Sequence, residues 1–344
     1  MPCYKPGRGR QAPDGTVTYY GHIQIAAGKL PPLPKYFKDF PLPCGKCTGC
    51  RLERSRQWAV RLMHEAQLHK KTSFVTLTYK NTELPGSAAR NIEDSLRALR
   101  SPQLRTALDR RAHAEARAHD DQEPSLSKGD LKAFTNRLNT AAHRRFGNGV
   151  KYYACGEYGE TTHRPHYHIA IYGEDFADDR IPWKLSNGHQ LWRSSRLATL
   201  WPHGDADIGE LTFESAAYIA RYIMKKITGA KAHDHYKREK EGKEYWLEPE
   251  FNVMSRRPGI ASRWFEQNHS DVYPHDHVIS RGHPAKPPRY YDYLLEKIDE
   301  HMYDYMKIAR EEAPRQEGEE TPARLAVRET VALAKLLQNK RSLE

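Results

Sequence analysis

A pair of short β-strand patterns on either side of one turn-rich segment constrains the fold more than any other feature of this chain. Residues 151–157 and 166–172 are rich in aromatic and β-branched side chains, and 158–165 between them contains Gly, Thr and Pro. Strands joined by so short a connection pair as an antiparallel hairpin. Residues 73–79 form a third run of the same kind. The hairpin would bring position 157 close to positions 166 and 168.

Helical spacing of apolar residues alternates with these strands. Ser127 is a candidate N-cap with Asp130 three residues on, and Gly147 ends the helix that follows. Three stretches are irregular or polar: an N-terminal arm over 1–50, a charged insertion over about 81–126 and a segment over 174–204. A short strand is predicted at 205–211. Predicted helices span 51–70, 131–146, 215–227, about 290–312 and 321–340. We expect an N-terminal cysteine-rich arm and helix at 1–70, a core at 71–230 and a partly helical extension at 231–344.

The composition favours a nucleic-acid partner. The chain has 344 residues with 55 Lys+Arg, 44 Asp+Glu and 20 Tyr, and its net charge is +11. Cationic side chains release counterions when they neutralise phosphates. No apolar run approaches the roughly 20 residues that a membrane helix needs, and the N-terminus has no apolar signal segment. We therefore expect neither a membrane protein, nor a secreted disulfide scaffold, nor an acidic disordered chain.

The cysteines point to a metal rather than to disulfides. Their number is five, which is odd, and Cys44, Cys47 and Cys50 form a C-x2-C-x2-C run with interleaved glycine. Tight spacing of this kind lets thiolates converge on one soft ion, and Cys3 is a candidate fourth ligand. We predict a structural zinc site that pins the arm. Unligated thiols and an iron–sulfur cluster remain alternatives, although a cluster usually has a fourth cysteine nearby.

A second metal-binding pattern lies in the predicted hairpin. Residues two apart in a strand share a face, so His166 and His168 present both imidazoles together. With Glu157 across the hairpin they make a three-ligand site with open positions, which can polarise a phosphoryl oxygen. His163 and Glu160 are nearby substitutes. Exposed strand histidines and a non-haem iron site are the alternatives, although iron sites usually space their ligands differently.

The helix predicted at 215–227 carries two tyrosines one turn apart. Tyr218 and Tyr222 therefore lie on one face, and Lys225 and Lys226 follow within a turn. One interpretation is an amphipathic helix with half-buried tyrosines and a basic last turn that suits the helix dipole. The other is a phenolate nucleophile with lysines that stabilise charge. A phenol has a pKa near 10, so a nucleophilic tyrosine needs cations nearby.

These patterns together resemble the HUH endonucleases, a superfamily of rolling-circle replication initiators and relaxases. The likeness is closer to the replication initiation proteins of gokushovirus-type microviruses, which are small single-stranded DNA phages. Ala261 departs from the resemblance, since a glycine is expected there and the local backbone is in question. The matching motifs, in chain order, are PCGKCTGCR, FVTLTY, CGEYG, RPHYH, the helix from Tyr218 to Lys226, PEFNVMSRRPGI and KPPRYYD.

The resemblance implies an α+β fold: a central antiparallel sheet of the ferredoxin or RNA-recognition-motif type, with helices on one face and an open face for single-stranded DNA. It implies Glu157, His166 and His168 as ligands of Mg2+ or Mn2+. Tyr218 or Tyr222 would attack the origin strand, leaving a 5′-phosphotyrosine link and a free 3′-OH, and the enzyme would later rejoin the displaced strand. Lys225 and Lys226 would stabilise the phosphate or the leaving group.

The resemblance also suggests partners. We expect single-stranded and supercoiled phage origin DNA, host helicase and polymerase, no membrane, and action in the cytoplasm of the bacterial host. Arg256, Arg257 and Arg263 are candidate phosphate contacts with Trp264 as a stacking partner, or else a solvated basic loop beside a core tryptophan. A non-enzymatic, zinc-stabilised DNA-binding protein and a transposase or plasmid relaxase of the same superfamily are the competing functions.

Overall fold

The computed structural model describes residues 3–80, 125–159, 161–221, 227, 230–240, 242–313 and 321–338. Its strands are β1 (Gly7–Gln11), β2 (Val17–Tyr20), β3 (Lys38–Leu42), β4 (Thr72–Thr78), β5 (Lys151–Tyr158), β6 (Pro165–Tyr172), β7 (Arg180–Ser186), β8 (His189–Ser194), β9 (Ala206–Gly209), β10 (Lys237–Lys240), β11 (Lys243–Trp246), β12 (Phe251–Met254), β13 (Val278–Ser280) and β14 (His283–Ala285). Its helices are α1 (His22–Ala26), α2 (Thr48–Gln67), α3 (Lys128–Phe146), α4 (Ser195–Leu200), α5 (Phe213–Arg221), α6 (Ala230–Tyr236), α7 (Ser262–Val272), α8 (Arg289–Ile298), α9 (Glu300–Glu312) and α10 (Pro322–Gln338).

The central sheet has seven strands in the order β12-β5-β6-β4-β9-β8-β7, and each pair is antiparallel. Its strands form where side chains alternate between two packing surfaces. In β4, for example, Val75 and Leu77 are fully buried while Phe74 and Thr76 on the other face are half-buried. The predicted hairpin is β5–β6, in register with Glu157 opposite His166. The predicted α+β class with a large antiparallel sheet is confirmed.

Helices pack on both faces of this sheet. The face that carries His168 is covered by α2, α5, α7, α8 and α9, and the opposite face by α3 and α4. The expectation of helices on one face alone is therefore wrong. The reason lies in β6, where Ile169 and Ile171 are buried on one side and Ala170 and Tyr172 on the other. A sheet that is apolar on both faces has to be covered on both.

Two segments that the sequence suggested were irregular contain strands. The arm over 1–50 includes a separate antiparallel sheet of order β2-β1-β3, and 174–204 includes β7, β8 and α4. Neither segment shows a regular alternation of apolar residues in its sequence. Much of β2 and of β7 is exposed to solvent, so these strands need no apolar face. Residues beyond 231 also contribute to the central sheet, where β12 pairs with β5.

Local capping agrees with the sequence pattern at α3. The Ser127 side chain accepts a hydrogen bond from the Asp130 backbone amide at 3.1 Å, and Gly147 ends the helix with a left-handed φ of 72°. Helix α5 is described only to Arg221, and residues 222–226 of the predicted 215–227 helix lie outside the described residues. The insertion lies outside them from 81 to 124.

No helix in the described part of the chain is long and apolar enough to cross a bilayer.

Ala261, where the resemblance leads us to expect glycine, has a φ of 64°. This left-handed conformation favours glycine, which explains the expectation. The structure anchors the residue from two sides: its backbone amide donates to Glu65 Oε2 at 2.6 Å, and the guanidinium of Arg61 donates to the carbonyl of Ile260 at 3.0 and 3.2 Å. Packing around the loop therefore holds a conformation that alanine alone would avoid.

Candidate active site

Glu157, His166 and His168 converge at the hairpin of β5 and β6, and we call them the carboxylate–histidine centre. The Nε2 atoms of His166 and His168 each lie 2.9 Å from the same carboxylate oxygen, Glu157 Oε1. The register explains the convergence, because Glu157 faces His166 directly and His168 is one pleat further along. The three candidate ligand atoms lie within 4.8 Å of one another, close enough to share one ion.

The far side of each imidazole is held by another group. Nδ1 of His166 lies 3.1 Å from the carbonyl oxygen of Arg164, and Nδ1 of His168 lies 3.0 Å from Thr76 Oγ1 on β4. A carbonyl only accepts, so Nδ1 of His166 carries a proton. In the neutral ring Nε2 then presents a lone pair to the Glu157 carboxylate. The Nε2 lone pair and the carboxylate oxygen are both acceptors, so at this distance a cation has to lie between them, either a proton or a metal ion. The three ligand atoms therefore fit a divalent cation.

The centre is largely buried. The Glu157 carboxyl is fully buried, whereas 16% of the His166 side chain is exposed. Burial alone would raise the pKa of Glu157, but hydrogen bonding and electrostatic interaction with His166 and His168 hold this pKa well below its usual range. The carboxylate thus stays ionised and can serve as a permanent negative ligand.

Helix α5 places a tyrosine against this centre. The Tyr218 ring meets the His168 ring edge-on, with centroids 5.1 Å apart and an interplanar angle of 82°. Phe74 lies beside both, 5.4 Å from His168 and 6.4 Å from Tyr218 between ring centroids. Only 5% of Tyr218 is exposed. The other three candidates of the predicted 215–227 helix, Tyr222, Lys225 and Lys226, lie outside the described residues.

The cysteines of the arm also converge, and we call Cys3, Cys44, Cys47 and Cys50 the cysteine centre. Their four Sγ atoms lie within 4.8 Å of one another. Backbone amides donate to the sulfurs, from Cys44 to Cys3 and from Cys47 to Cys44, both at 3.3 Å. Burial raises the pKa of a thiol, yet backbone donors at Cys50 and Tyr4 bring the pKa of Cys47 down to about 7. Four sulfurs with amide donors around them fit a tetrahedral zinc ion.

The candidate DNA-contacting arginines lie elsewhere. Arg256, Arg257 and Arg263 are exposed, on the loop before α7 and on its first turn. Lys151 Nζ holds this loop through the Gly259 carbonyl at 3.4 Å. Lys151 is the first residue of β5, and Glu157 lies six residues further along the same strand. At the rise of about 3.3 Å per residue, the two positions are roughly 20 Å apart. The structure therefore does not bring the arginines to the carboxylate–histidine centre.

Trp264, the candidate stacking residue, and Arg61 of α2 both have structural partners. Trp264 stacks on His64 with ring centroids 3.6 Å apart and donates from Nε1 to Gln67 Oε1 at 2.6 Å, which favours the core interpretation over stacking on DNA. The Arg61 guanidinium lies between the rings of Trp58 and Tyr290, at 4.0 and 3.8 Å from their centroids. Arg61 therefore belongs to the packing between α2 and α8.

Sequence reasoning missed the groups that orient the ligands. Thr76 is the clearest example, since its only signal is its place in the 73–79 strand, and its contact with His168 depends on the β4–β6 register. Of the suggested substitute ligands, His163 is exposed on the hairpin turn and does not join the cluster, and Glu160 lies outside the described residues.

Comparison with known proteins gives consistent relatives. The family model for replication-associated protein ORF2/G2P matches residues 72–227. The chain is 31% identical over 319 residues to replication-associated protein ORF2 of Spiroplasma virus 4, covering 90% of this chain and 86% of that protein. It is 27% identical over 287 residues to replication-associated protein VP4 of Bdellovibrio phage phiMH2K, covering 83% and 76%. A shorter match, 28% over 193 residues, is to replication-associated protein ORF4 of Chlamydia phage 1. No solved structure matches the chain.

Proposed function

Since the chain belongs to the family of phage replication-associated proteins, we propose that it initiates rolling-circle replication by cutting one strand of the phage origin. In this proposal the central sheet is an HUH endonuclease core, 1–70 is an arm and helix, 71–230 is the nuclease unit and 231–344 is an extension. The protein would act in the cytoplasm of the infected bacterium, on single-stranded and supercoiled origin DNA, with host helicase and polymerase.

The observation that carries the proposal is the contact between Tyr218 and His168. An aromatic hydroxyl-bearing ring lies directly against a ligand cluster that suits a divalent ion. Neither a tyrosine helix nor a histidine pair alone would indicate phosphoryl transfer, because both are common. Their contact supports the proposal, because a nucleophile at Tyr218 would act beside the ion that polarises a phosphate oxygen.

The proposed reaction is a transesterification. The phenolic oxygen of Tyr218 or Tyr222 forms a bond to the scissile phosphorus, and the bond from phosphorus to the 3′ oxygen breaks. The phenol gives up its proton and the 3′ oxygen takes one up, so a 5′-phosphotyrosine and a free 3′-OH result. Reversal on a second end rejoins the displaced strand, and two tyrosines allow one to hold the old end while the other cuts.

Each residue near the centre has a proposed task. Glu157, His166 and His168 would hold Mg2+ or Mn2+, and the bound ion would draw charge from the phosphoryl oxygen. Thr76 and the Arg164 carbonyl orient the two imidazoles. Lys225 and Lys226 would contact the phosphate or the leaving oxygen. At a distance, Arg256, Arg257 and Arg263 would hold DNA phosphates, and the cysteine centre would hold a structural zinc ion.

A covalent-adduct assay tests this function. Purified protein would be mixed with labelled single-stranded DNA tiled over the phage origin, with and without added Mn2+, and the products separated on a denaturing protein gel. We expect a labelled, metal-dependent adduct in the wild type and none in the Tyr218→Phe/Tyr222→Phe double variant. The single substitutions would rank the two tyrosines, and Tyr305→Phe, on the exposed face of α9, is the matched control.

The contrary result is equally clear. If folded, metal-loaded protein forms no adduct on single-stranded or supercoiled origin DNA, the tyrosine mechanism fails. Retained origin binding by His166→Ala/His168→Ala under those conditions would then support a non-enzymatic DNA-binding protein.

A further inference from the structure

The β2-β1-β3 sheet of the arm has an exposed aromatic face that the proposed function does not use. Of residues 7–42, only Gly7, Gly9 and Arg10 are buried, so this sheet has no apolar core of its own. The ladder pairs Gly9 with Tyr19 on one side and with Phe40 on the other. Tyr19, Gly9 and Phe40 therefore form one row across three strands, on one face.

The glycines of β1 explain how the two rings lie on this face. A Cβ on Gly7 would collide with the Tyr19 ring, and a Cβ on Gly9 would come within 2.8 Å of the Phe40 ring. Any other residue at these positions would push the rings away from the sheet. Tyr19 covers Gly7 with one side of its ring and is still 51% exposed. Its other side is thus open to solvent, as a stacking surface requires. We call Tyr19, Phe40 and the two glycines the aromatic platform.

The charge around the aromatic platform suits a polyanion. Residues 3–47 contain seven Lys or Arg and two Asp. One of those aspartates, Asp39, lies on the opposite face, 3.7 Å from Arg10 Nε. That face is also covered, since Arg10 donates to the Pro32 carbonyl at 3.1 Å. On the platform face the exposed charged strand residue is Lys38, in register with Gln11. The platform face thus combines an open tyrosine ring, a half-buried phenylalanine ring and one lysine, and single-stranded nucleic acids bind where aromatic rings and cationic side chains lie together.

The cysteine centre ties this sheet to the rest of the protein. Cys44 follows β3 by two residues, Cys3 precedes β1, and Cys47 is the N-cap of α2. Helix α2 in turn packs in the same core as Tyr218 of α5. A strand of DNA on the aromatic platform would therefore be held at a set distance from the carboxylate–histidine centre.

We propose that the aromatic platform is a second, non-catalytic binding site for single-stranded DNA, in which bases stack on Tyr19 and Phe40 and Lys38 contacts the backbone. The proposal rests on the proposed function only for the choice of single-stranded DNA as the ligand. The site lies outside residues 72–227, the part that the family model matches, so it would add DNA affinity beyond that of the nuclease unit.

Fluorescence anisotropy with the full-length protein tests the proposal. The probe is a fluorescein-labelled dT 20-mer, which contains no origin, in buffer without added divalent metal and without chelator. Tyr19→Leu keeps apolar volume over Gly7 but removes the flat ring, so we expect the dissociation constant to rise about tenfold, the effect of one lost base stack. Tyr19→Trp should bind at least as well as wild type. Tyr19→Leu/Phe40→Leu should lose about 100-fold.

The controls separate stacking from misfolding and from nicking. Tyr305→Leu removes a tyrosine that is 58% exposed on α9 and should leave affinity unchanged. Zinc content would show that each variant keeps its arm folded. A change below twofold in a folded double variant overturns the proposal, and so does an equal loss of affinity for a 20-base-pair duplex, whose paired bases cannot stack on the rings. The adduct assay is scored separately at saturating DNA, so either idea can fail alone.

Discussion

The carboxylate–histidine centre and the cysteine centre are built on opposite kinds of support. The first stands on adjacent strands of the central sheet, where Glu157 is fully buried and hydrogen bonds from neighbouring strands orient its partners. The second joins the two ends of an arm in which few side chains are buried. One centre is therefore positioned by the fold, whereas the other positions the segment around it.

This difference predicts different consequences of losing the metal. A sheet with apolar cores on both faces keeps its shape without an ion, so the carboxylate–histidine centre should lose chemistry and retain structure. A small three-stranded sheet without a core is marginal by itself. Loss of zinc from the cysteine centre should then release the arm while the central sheet stays folded.

The largest expected effect is on nicking, from Glu157→Gln. The amide fits the same space but removes the charge that both histidines face, so we expect adduct formation to slow by about 10³-fold or more. Adduct yield against time, with Mn2+ present, measures the change, and circular dichroism checks the fold. Glu174→Gln is the matched control, because Glu174 is also buried but accepts from the Asp175 and Phe176 amides instead. Similar losses in both variants would mean that Glu157 acts through stability.

The second effect is on the arm, from Cys44→Ser or Cys47→Ser. Either change should reduce bound zinc from about one ion per chain to near none and speed tryptic cleavage within 3–47 by about tenfold or more. Plasma mass spectrometry and limited proteolysis would measure these quantities. Cys155→Ser, at a cysteine outside the centre, should keep the zinc. If the cysteine variants lost nicking at saturating DNA as completely as Glu157→Gln, the two regions would not be separable in this way.

A smaller effect concerns α2, the helix that connects the two regions. His64 is buried, stacks on Trp264 and lies 2.6 Å from the Tyr291 hydroxyl through Nδ1. Burial lowers the pKa of His64 from 6.5 to about 4. The unfolded chain therefore binds this proton first, so the stability is fully present above pH 6.5 and is lost as the pH falls toward 4.

Urea unfolding at pH 7.5 and pH 4.5 would measure this loss. We expect the wild type to lose about 2.5 kcal/mol more than His64→Phe/Tyr291→Phe between these pH values, since each pH unit below 6.5 contributes up to about 1.4 kcal/mol. The double variant removes both hydrogen-bonding partners, so no buried hydroxyl is left unpaired. Equal losses in the two proteins would mean that folding does not lower the pKa of His64.

The sequence predicts a region well when the contacts that form it join residues close together in the chain. The β5–β6 hairpin is local, so alternation and turn residues were enough to predict that Glu157 approaches His166. The cysteine cluster was predicted from its spacing and chemistry. The strands of the arm were missed because Gly7 and Gly9 carry no side chain to alternate, and their pairing with β3 spans about thirty residues. Helices on the second face were missed because burial of both sides of β6 is not visible in a short apolar run.

The smaller of the two expected effects on nicking tests the part of the carboxylate–histidine centre that the sequence did not reveal. Thr76→Val keeps the shape of the side chain and removes the hydroxyl 3.0 Å from His168 Nδ1. The ring then loses the partner that orients it, so we expect the Mn2+ concentration for half-maximal nicking to rise by about 10- to 100-fold, with full activity restored at high metal. Thr78→Val is the control on the same strand and face, since that hydroxyl donates to the Asp205 carbonyl and not to a histidine. If Thr76→Val lowers the maximal rate without shifting the metal dependence, the hydroxyl does not act through the orientation of His168. The rigidity of the strands alone would then be sufficient to position the ligand.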